Sequence, residues 1–162
     1  MAILQYSGIC ESPLGLIAID GTDFGITSVA FVEHSPNDLI SSPLIAEAMN
    51  QLEEYFSGKR NEFSLLLSPE GTEFQKQVWN ALQSIPFSET RSYLDIALQL
   101  GDKNLTRAVG AANGKNPIAI IIHCHRVIGE DGSLTGYAGG LHRKQWLLNF
   151  ESPVQQQSLF AP

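Results

Sequence analysis

The stretch NPIAIIIHCHRVIGEDG, residues 116–132, decides how this chain is read. After Pro117 an apolar run over residues 118–122 passes straight into His123, Cys124, His125 and Arg126, then dissolves into turn-forming residues at 129–132. The run predicts a buried strand that surfaces at the thiol. A free thiol titrates near about 8.5 and is mostly protonated at neutral pH, whereas a nearby imidazole or guanidinium favours the thiolate. His123, His125 and Arg126 thus predict an activated nucleophile at Cys124.

Two other chemistries use the same residue types. Zinc needs convergent ligands, but in an extended segment His123 and His125 point to one face and Cys124 to the other. Cys10, His34 and His142 would have to join from afar with no CxxC-type pair, so no metal site is predicted. A cysteine hydrolase needs a base beside the thiol and a third residue to orient that base, and only the rest of the chain separates this possibility. Cys10 itself, between Ile9 and Glu11 near a strand end, reads as a small buried hydrophobe.

The whole chain sets the limits. Its 162 residues are 43% hydrophobic, enough to bury one core or two small ones. No apolar run is long enough to span a bilayer, and the opening MAILQYSGICES lacks a signal-peptide pattern. Two distant cysteines do not make a disulfide framework. Together these features predict a soluble cytoplasmic protein with no membrane contact. The net charge of −7 is uneven: residues 1–75 hold 11 Asp/Glu against 2 Lys/Arg, while residues 76–162 hold 6 against 8. A mildly basic half can contact phosphates through a few placed cations, with weak non-specific attraction and marked salt sensitivity.

Upstream of the deciding stretch, ILQYSG, GLIAIDG and FGITSVAFVE read as strands separated by Ser, Pro and Gly, the simplest reading being a small antiparallel sheet. Ser42-Pro43 supplies an N-cap and a first-turn proline, and Leu44, Ile45, Ala48, Met49, Leu52, Tyr55 and Phe56 recur at helical spacing until Gly58. The run FSLLL ends at Ser68-Pro69-Glu70-Gly71, the best candidate boundary, which divides a β-rich domain (1–70) from a second domain (71–151) and a polar tail (152–162).

The second domain is predicted to be mainly helical. Thr72 can cap a helix bearing Phe74, Val78 and Leu82, and Ser92 can cap another through YLDIALQL. Gly101 breaks the chain before NLTRAVGAANGKN, a third helix, and the pair outlines a helix-turn-helix. That third helix is rich in Ala and Gly, poor material for a core but suited to bringing a backbone close to another surface. Two glycines in a helix cost about 1 kcal/mol each relative to alanine, so something other than helix stability favours them. The fold class is α/β of the α+β type, with the reactive cysteine in the helical domain.

These spaced motifs resemble the active-site region of the O6-alkylguanine-DNA alkyltransferases, the methylated-DNA–protein-cysteine methyltransferases. The family signature is Pro-Cys-His-Arg-Val, preceded by Asn-Pro and followed by Tyr-Ser/Ala-Gly-Gly and a helix ending in Glu. Each part has a counterpart here, and the likeness extends upstream through RSYLDIALQL and TRAVGAANGKNP over residues 72–151.

The resemblance implies repair of O6-alkylguanine by irreversible transfer of the alkyl group to Cys124, once per molecule and without cofactor. By position, His125 would act on the thiol through a bridging water and Glu151 would orient that histidine. Asn116 would steady the active-site turn, and Tyr93 would assist departure of the guanine. Arg107 would enter the base stack where the nucleotide has flipped out, with Thr106, Ala108, Ala111, Gly114 and Lys115 on the surface approaching the minor groove of double-stranded DNA. Val127, Tyr137, Ala138, Gly139 and Gly140 would line the base pocket. The chemistry is consistent with this: an O6-alkyl carbon lies inside the duplex and must leave the stack to reach a buried sulfur. Glu151, unfavourable at a helix C-terminus, needs a cationic partner.

One position departs from the family. His123 stands where the signature has proline, exchanging a fixed φ for a polar side chain, either loosening the turn or adding a second imidazole to the thiolate's surroundings. The tail SPVQQQSLFAP resembles, through Gln156, Leu159 and Phe160, the QxxLF peptides with which bacterial repair proteins dock on the replicative sliding clamp. The implied state is a monomer. A non-reacting lesion sensor that recruits other factors is the alternative from another class, and a hydrolase with repeated turnover is a third.

Overall fold

Three strands follow one another from the N-terminus in a computed structural model that describes residues 3–153: β1 (Gln5–Ser12), β2 (Gly15–Thr22) and β3 (Gly25–Val32). They form an antiparallel sheet in the order β1-β2-β3, with Ile9 opposite Ala18 and Ala18 opposite Ala30. Ile17 and Ile19 on the central strand are fully buried. Helix α1 (Pro43–Phe56) lies on the sheet, started by Ser42 Oγ accepting from the Ile45 amide at 3.2 Å. Its apolar stripe buries Ile45, Ala48, Leu52 and Tyr55. Gly8 lets helix and sheet approach: a Cβ there would lie 2.6 Å from Ile45 and 2.9 Å from Met49. The FSLLL run pairs along β3, where the Ile26 amide donates to the Leu66 carbonyl at 2.8 Å.

The described chain gathers into two compact units, one closing at Glu70 and the other opening at Gly71. In the second, α2 (Glu73–Gln83) begins with a capping box between Thr72 and Gln75 and buries Val78, Trp79, Ala81 and Leu82. A two-residue strand, β4 (Arg91–Ser92), leads into α3 (Tyr93–Gln99), capped reciprocally by Ser92 and Asp95. Gly101 adopts a φ of +104°, which a side chain would strain, and a 3-10 turn at Lys103–Leu105 feeds α4 (Thr106–Gly114). The helix-turn-helix outline is therefore present, and the Trp79 indole fixes α4 to α2 by donating to the Ala112 carbonyl at 2.8 Å. β5 (Val127–Ile128) pairs in parallel with β4, and α5 (Leu141–Glu151) closes the unit. The fold is the α+β arrangement expected from the sequence. No helix among the described residues is long and apolar enough to cross a membrane.

One expectation is corrected. The apolar run before Cys124 is not a strand; it is a succession of tight turns, with the Ile121 amide on the Ala119 carbonyl at 2.8 Å and the Ile122 amide on the Ile118 carbonyl at 3.0 Å. Ile118, Ile120, Ile121 and Ile122 are all buried. Burial on every side yields the same continuous apolar pattern as a buried strand, so periodicity does not separate the two. The tail residues Gln156, Leu159 and Phe160 lie outside the described residues.

Candidate active site

Asn116 organises the turn that carries the thiol. Its Nδ2 donates to the Ile122 carbonyl at 2.9 Å and the Ile118 carbonyl at 3.3 Å, while its Oδ1 accepts from the Ile118 amide at 2.9 Å. One side chain thus replaces the ladder partners that a strand would have supplied. The turn contains Ile120 at a φ of +73°, a rare conformation for a β-branched residue. The Cys124 amide then donates to the Ile122 carbonyl at 2.8 Å, and Cys124–Arg126 forms a single 3-10 turn.

That turn aims three consecutive side chains differently from an extended segment, which corrects the alternating geometry assumed from sequence. His125, fully buried, meets Glu151 with Nε2 2.8 Å from Oε2. A carboxylate only accepts, so Nε2 carries the proton, and in the neutral ring Nδ1 keeps a lone pair. Nδ1 is buried and has no hydrogen-bond partner among the described residues. Arg126 grips the same carboxylate, Nε to Oε1 at 2.8 Å and Nη2 to Oε2 at 3.0 Å, and its Nη1 donates to the Ile85 carbonyl at 2.6 Å. His125 and then Arg126 hold the Glu151 carboxyl well below the usual carboxylate range despite its burial. Glu151 at the end of α5 therefore has two cation-type partners, and Arg126 is a member of a buried ion pair.

The electropositive setting expected around the thiol is also corrected. Burial pushes the Cys124 thiol up to about 11, outweighing the Asn116 hydrogen bond and the Lys144 ammonium that favour the thiolate. Arg126 is committed to Glu151. Burial, with the Arg126 charge beside it, lowers His123 to about 3, so that ring is neutral and adds no positive charge. Its Nδ1 lies 3.0 Å from the Ile120 carbonyl.

Tyr93 opens α3, its hydroxyl 3.0 Å from the Thr135 carbonyl and 3.1 Å from Thr135 Oγ1. Tyr137 is buried beside the thiol, and its hydroxyl has no hydrogen-bond partner among the described residues. Val127 is buried, Gly139 and Gly140 are half-buried, and Ala138 is exposed. On α4, Arg107, Ala108, Ala111 and Gly114 are exposed with Lys115 just beyond, while Val109, Ala112 and Asn113 face inward. Thr106 is half-buried and its hydroxyl donates to the Lys103 carbonyl at 2.6 Å. Cys10 is half-buried rather than buried, and burial pushes its thiol up to about 11 as well. Among the described residues no group of three or more His, Cys, Asp or Glu side chains could hold a metal ion.

Two residues escaped the sequence reading. Lys144 is completely buried, and its Nζ donates to the Val127 carbonyl at 2.6 Å and the Thr135 carbonyl at 2.8 Å, closing the loop that carries Tyr137. Asn113, also buried, directs Nδ2 at the Cys124 carbonyl at 3.4 Å. Both are polar residues on the apolar stripe of a helix, spaced with Leu147 and Glu151 or with Val109 and Ala112. That mismatch was the available signal.

Comparisons with known proteins agree on one family. Residues 73–153 match the DNA-binding domain of 6-O-methylguanine DNA methyltransferase, and residues 5–69 match its ribonuclease-like domain. The methylated-DNA–protein-cysteine methyltransferase of Methanosarcina barkeri is 51% identical over 153 residues, covering 91% of this chain and 97% of that protein. Its counterpart in Mycolicibacterium paratuberculosis is 50% identical over 162 residues, covering 97% of this chain and 98% of that protein. The crystal structure of Mycobacterium tuberculosis OGT in complex with DNA superposes with a TM-score of 0.82 at 43% identity, covering 95% of this chain and 99% of that one. With both halves matched by that family's models and relatives about half identical along nearly the whole chain, the chain belongs to the 6-O-methylguanine DNA methyltransferase family.

Proposed function

We propose that this protein repairs O6-alkylguanine in double-stranded DNA by transferring the alkyl group irreversibly to Cys124, one transfer per molecule. The observation that carries this reading is the His125–Glu151 pair: with Nε2 engaged at 2.8 Å, the buried Nδ1 of the residue after the thiol has no hydrogen-bond partner among the described residues and is left as a proton acceptor. A raised thiol pKa means that the proton leaves during the reaction, through a water to Nδ1, rather than beforehand. The sulfur lone pair forms the S–C bond as the C–O6 bond breaks, its electron pair remaining on the purine. Tyr93 donates a proton to the departing guanine, and the proton taken by His125 returns through solvent to Tyr93. The products are a thioether and neutral guanine, so protons and charge balance. Arg126 and Glu151 keep the histidine in one tautomer, and Asn116 fixes the turn.

The exposed face of α4 supports minor-groove contact. Ala108, Ala111 and Gly114 allow the helix to come close, Arg107 is free to fill the opened stack, and Thr106 and Lys115 flank them. Val127, Tyr137, Ala138, Gly139 and Gly140 are read as the base pocket. Residues 1–70 and 71–151 are read as the two domains and residues 152–162 as a tail that tethers the protein to the sliding clamp through Gln156, Leu159 and Phe160. Titrating clamp with the full chain and with a Leu159→Ala/Phe160→Ala variant tests that tether; equal or absent binding by both removes it. A cytoplasmic monomer is the state read here, since both cysteines are free thiols and one chain supplies acceptor and relay.

Mass spectrometry after incubation with a duplex holding one O6-methylguanine tests the main reading. One methyl on the Cys124 peptide, with stoichiometric lesion loss and none in Cys124→Ser, is the expected result. Binding without transfer would favour the sensor, and repeated turnover would favour a hydrolase.

A further inference from the structure

We propose that His123 is a positioning residue for alkyl transfer, its side-chain bond to the Ile120 carbonyl locking the turn that presents Cys124. The inference rests on the reading of Cys124 as alkyl acceptor. His123 holds a φ of −80°, within the range a proline ring enforces, yet nothing covalent holds it there. Three residues earlier Ile120 sits at a φ of +73°, and a left-handed β-branched residue persists only where its surroundings over-determine it.

The lock supplies that determination. His123 Nδ1 reaches the Ile120 carbonyl at 3.0 Å in a position only 8% exposed. A carbonyl only accepts, so Nδ1 carries the proton. On its other side the His123 carbonyl accepts from the Arg126 amide at 3.0 Å, closing the turn that contains Cys124. One residue therefore fastens the strained Ile120 behind the nucleophile and the 3-10 turn in front of it. Asn116 secures Ile118 and Ile122 but makes no bond to Ile120, so the two side chains hold different points of one loop. Burial lowers His123 to about 3, which keeps the ring neutral and its donor in place throughout the working pH range.

Three substitutions separate the donor from the space it fills. His123→Leu keeps the volume and removes the donor, His123→Asn keeps an N–H near Nδ1, and His123→Pro restores a fixed φ. The measurements are single-turnover transfer at saturating lesion duplex, duplex affinity, and urea unfolding. The expected result is transfer about tenfold or more slower in the Leu variant with affinity unchanged, since small misplacements of a reacting atom cost up to about 10²-fold. Asn and Pro should recover transfer to within about threefold of wild type. Wild-type transfer by the Leu variant overturns the proposal. If that variant does not fold, Asn and Pro still decide, because a tenfold loss in both shows that ring packing alone matters. Absence of transfer in the wild type itself would instead remove the reading of Cys124 on which the inference rests.

Discussion

Arg126 and His125 end on the same carboxylate oxygen of Glu151, Nη2 at 3.0 Å and Nε2 at 2.8 Å, while Arg126 Nε holds the other oxygen at 2.8 Å. All three side chains are essentially buried. A buried carboxylate needs its charge matched and its lone pairs filled, and the His125 ring and the Arg126 guanidinium divide that work, with His125 Nδ1 left without a hydrogen-bond partner among the described residues.

A double-mutant cycle checks this division. Glu151→Gln leaves the Arg126 charge buried without its carboxylate, and Arg126→Met leaves the buried Glu151 charge without its guanidinium. Each should cost about 3–5 kcal/mol in urea unfolding. The double variant should cost clearly less than the two together, because neither charge remains. Additive costs would mean that the pair does not act as a unit.

Stability should fall on the acid side of neutrality. His123 titrates near about 3 in the folded protein, below its ordinary value of about 6.5 in the unfolded chain, so the unfolded state binds the proton first. Its contribution is complete above pH of about 6.5 and drains at up to about 1.4 kcal/mol per pH unit toward about 3. Glu151, held below the usual carboxylate range, adds stability present above about 4.3 and lost as the pH drops through its folded value. Urea unfolding at pH 7, 6 and 5 should follow the histidine slope, and His123→Asn should flatten it.

Much of the fold was legible because local chemistry wrote it. Ser42-Pro43, Thr72 and Ser92 each start a helix at the position their side chains predict, and Gly101 turns the chain between α3 and α4. The run at 118–122 was misread because a segment buried on all sides has no polar face to reveal its period. The site residues beyond Cys124 and its immediate neighbours were named through the family resemblance, and the thiol's electrostatics were not legible at all. Neighbours in sequence supply charge to Cys124 only if they face it, and here Arg126 faces Glu151 while His123 faces a carbonyl. Lys144 and Asn113 needed the opposite inference, that a polar residue on a helix's apolar stripe has a buried partner waiting.

Gly114 should separate stability from DNA contact. A Cβ built there meets nothing within 4 Å, so alanine fits the protein and should stabilise α4 by up to about 1 kcal/mol. If the α4 surface lies against the minor groove, the added methyl meets DNA. Gly114→Ala is therefore expected to unfold at equal or higher urea while binding lesion duplex several-fold more weakly. Gly110→Ala is the control, since its Cβ would sit at ordinary contact distance, 3.8 Å, from the Tyr93 ring. It should leave DNA affinity near wild type; equal losses at both positions would take the minor-groove assignment away from the Gly114 end of the helix.

The thiol itself offers the sharpest check on when its proton departs. With Cys124 only 4% exposed and pushed up to about 11, the free protein at neutral pH carries a thiol there. Iodoacetamide labelling of Cys124, followed by peptide mass spectrometry, should rise about tenfold per pH unit between pH 7 and 9, because only the thiolate reacts. Cys10, also raised to about 11, is an internal comparison in a half-buried setting, and its labelling should climb with the same slope from a higher baseline of access. Alkyl transfer from saturating lesion duplex should lack that steep slope if, as proposed, His125 Nδ1 receives the proton as the S–C bond forms. A labelling curve that is already flat at pH 7 would place proton loss before DNA binding, and would make the Lys144 ammonium and the Asn116 amide, the two groups that favour the thiolate, stronger than the burial opposing them.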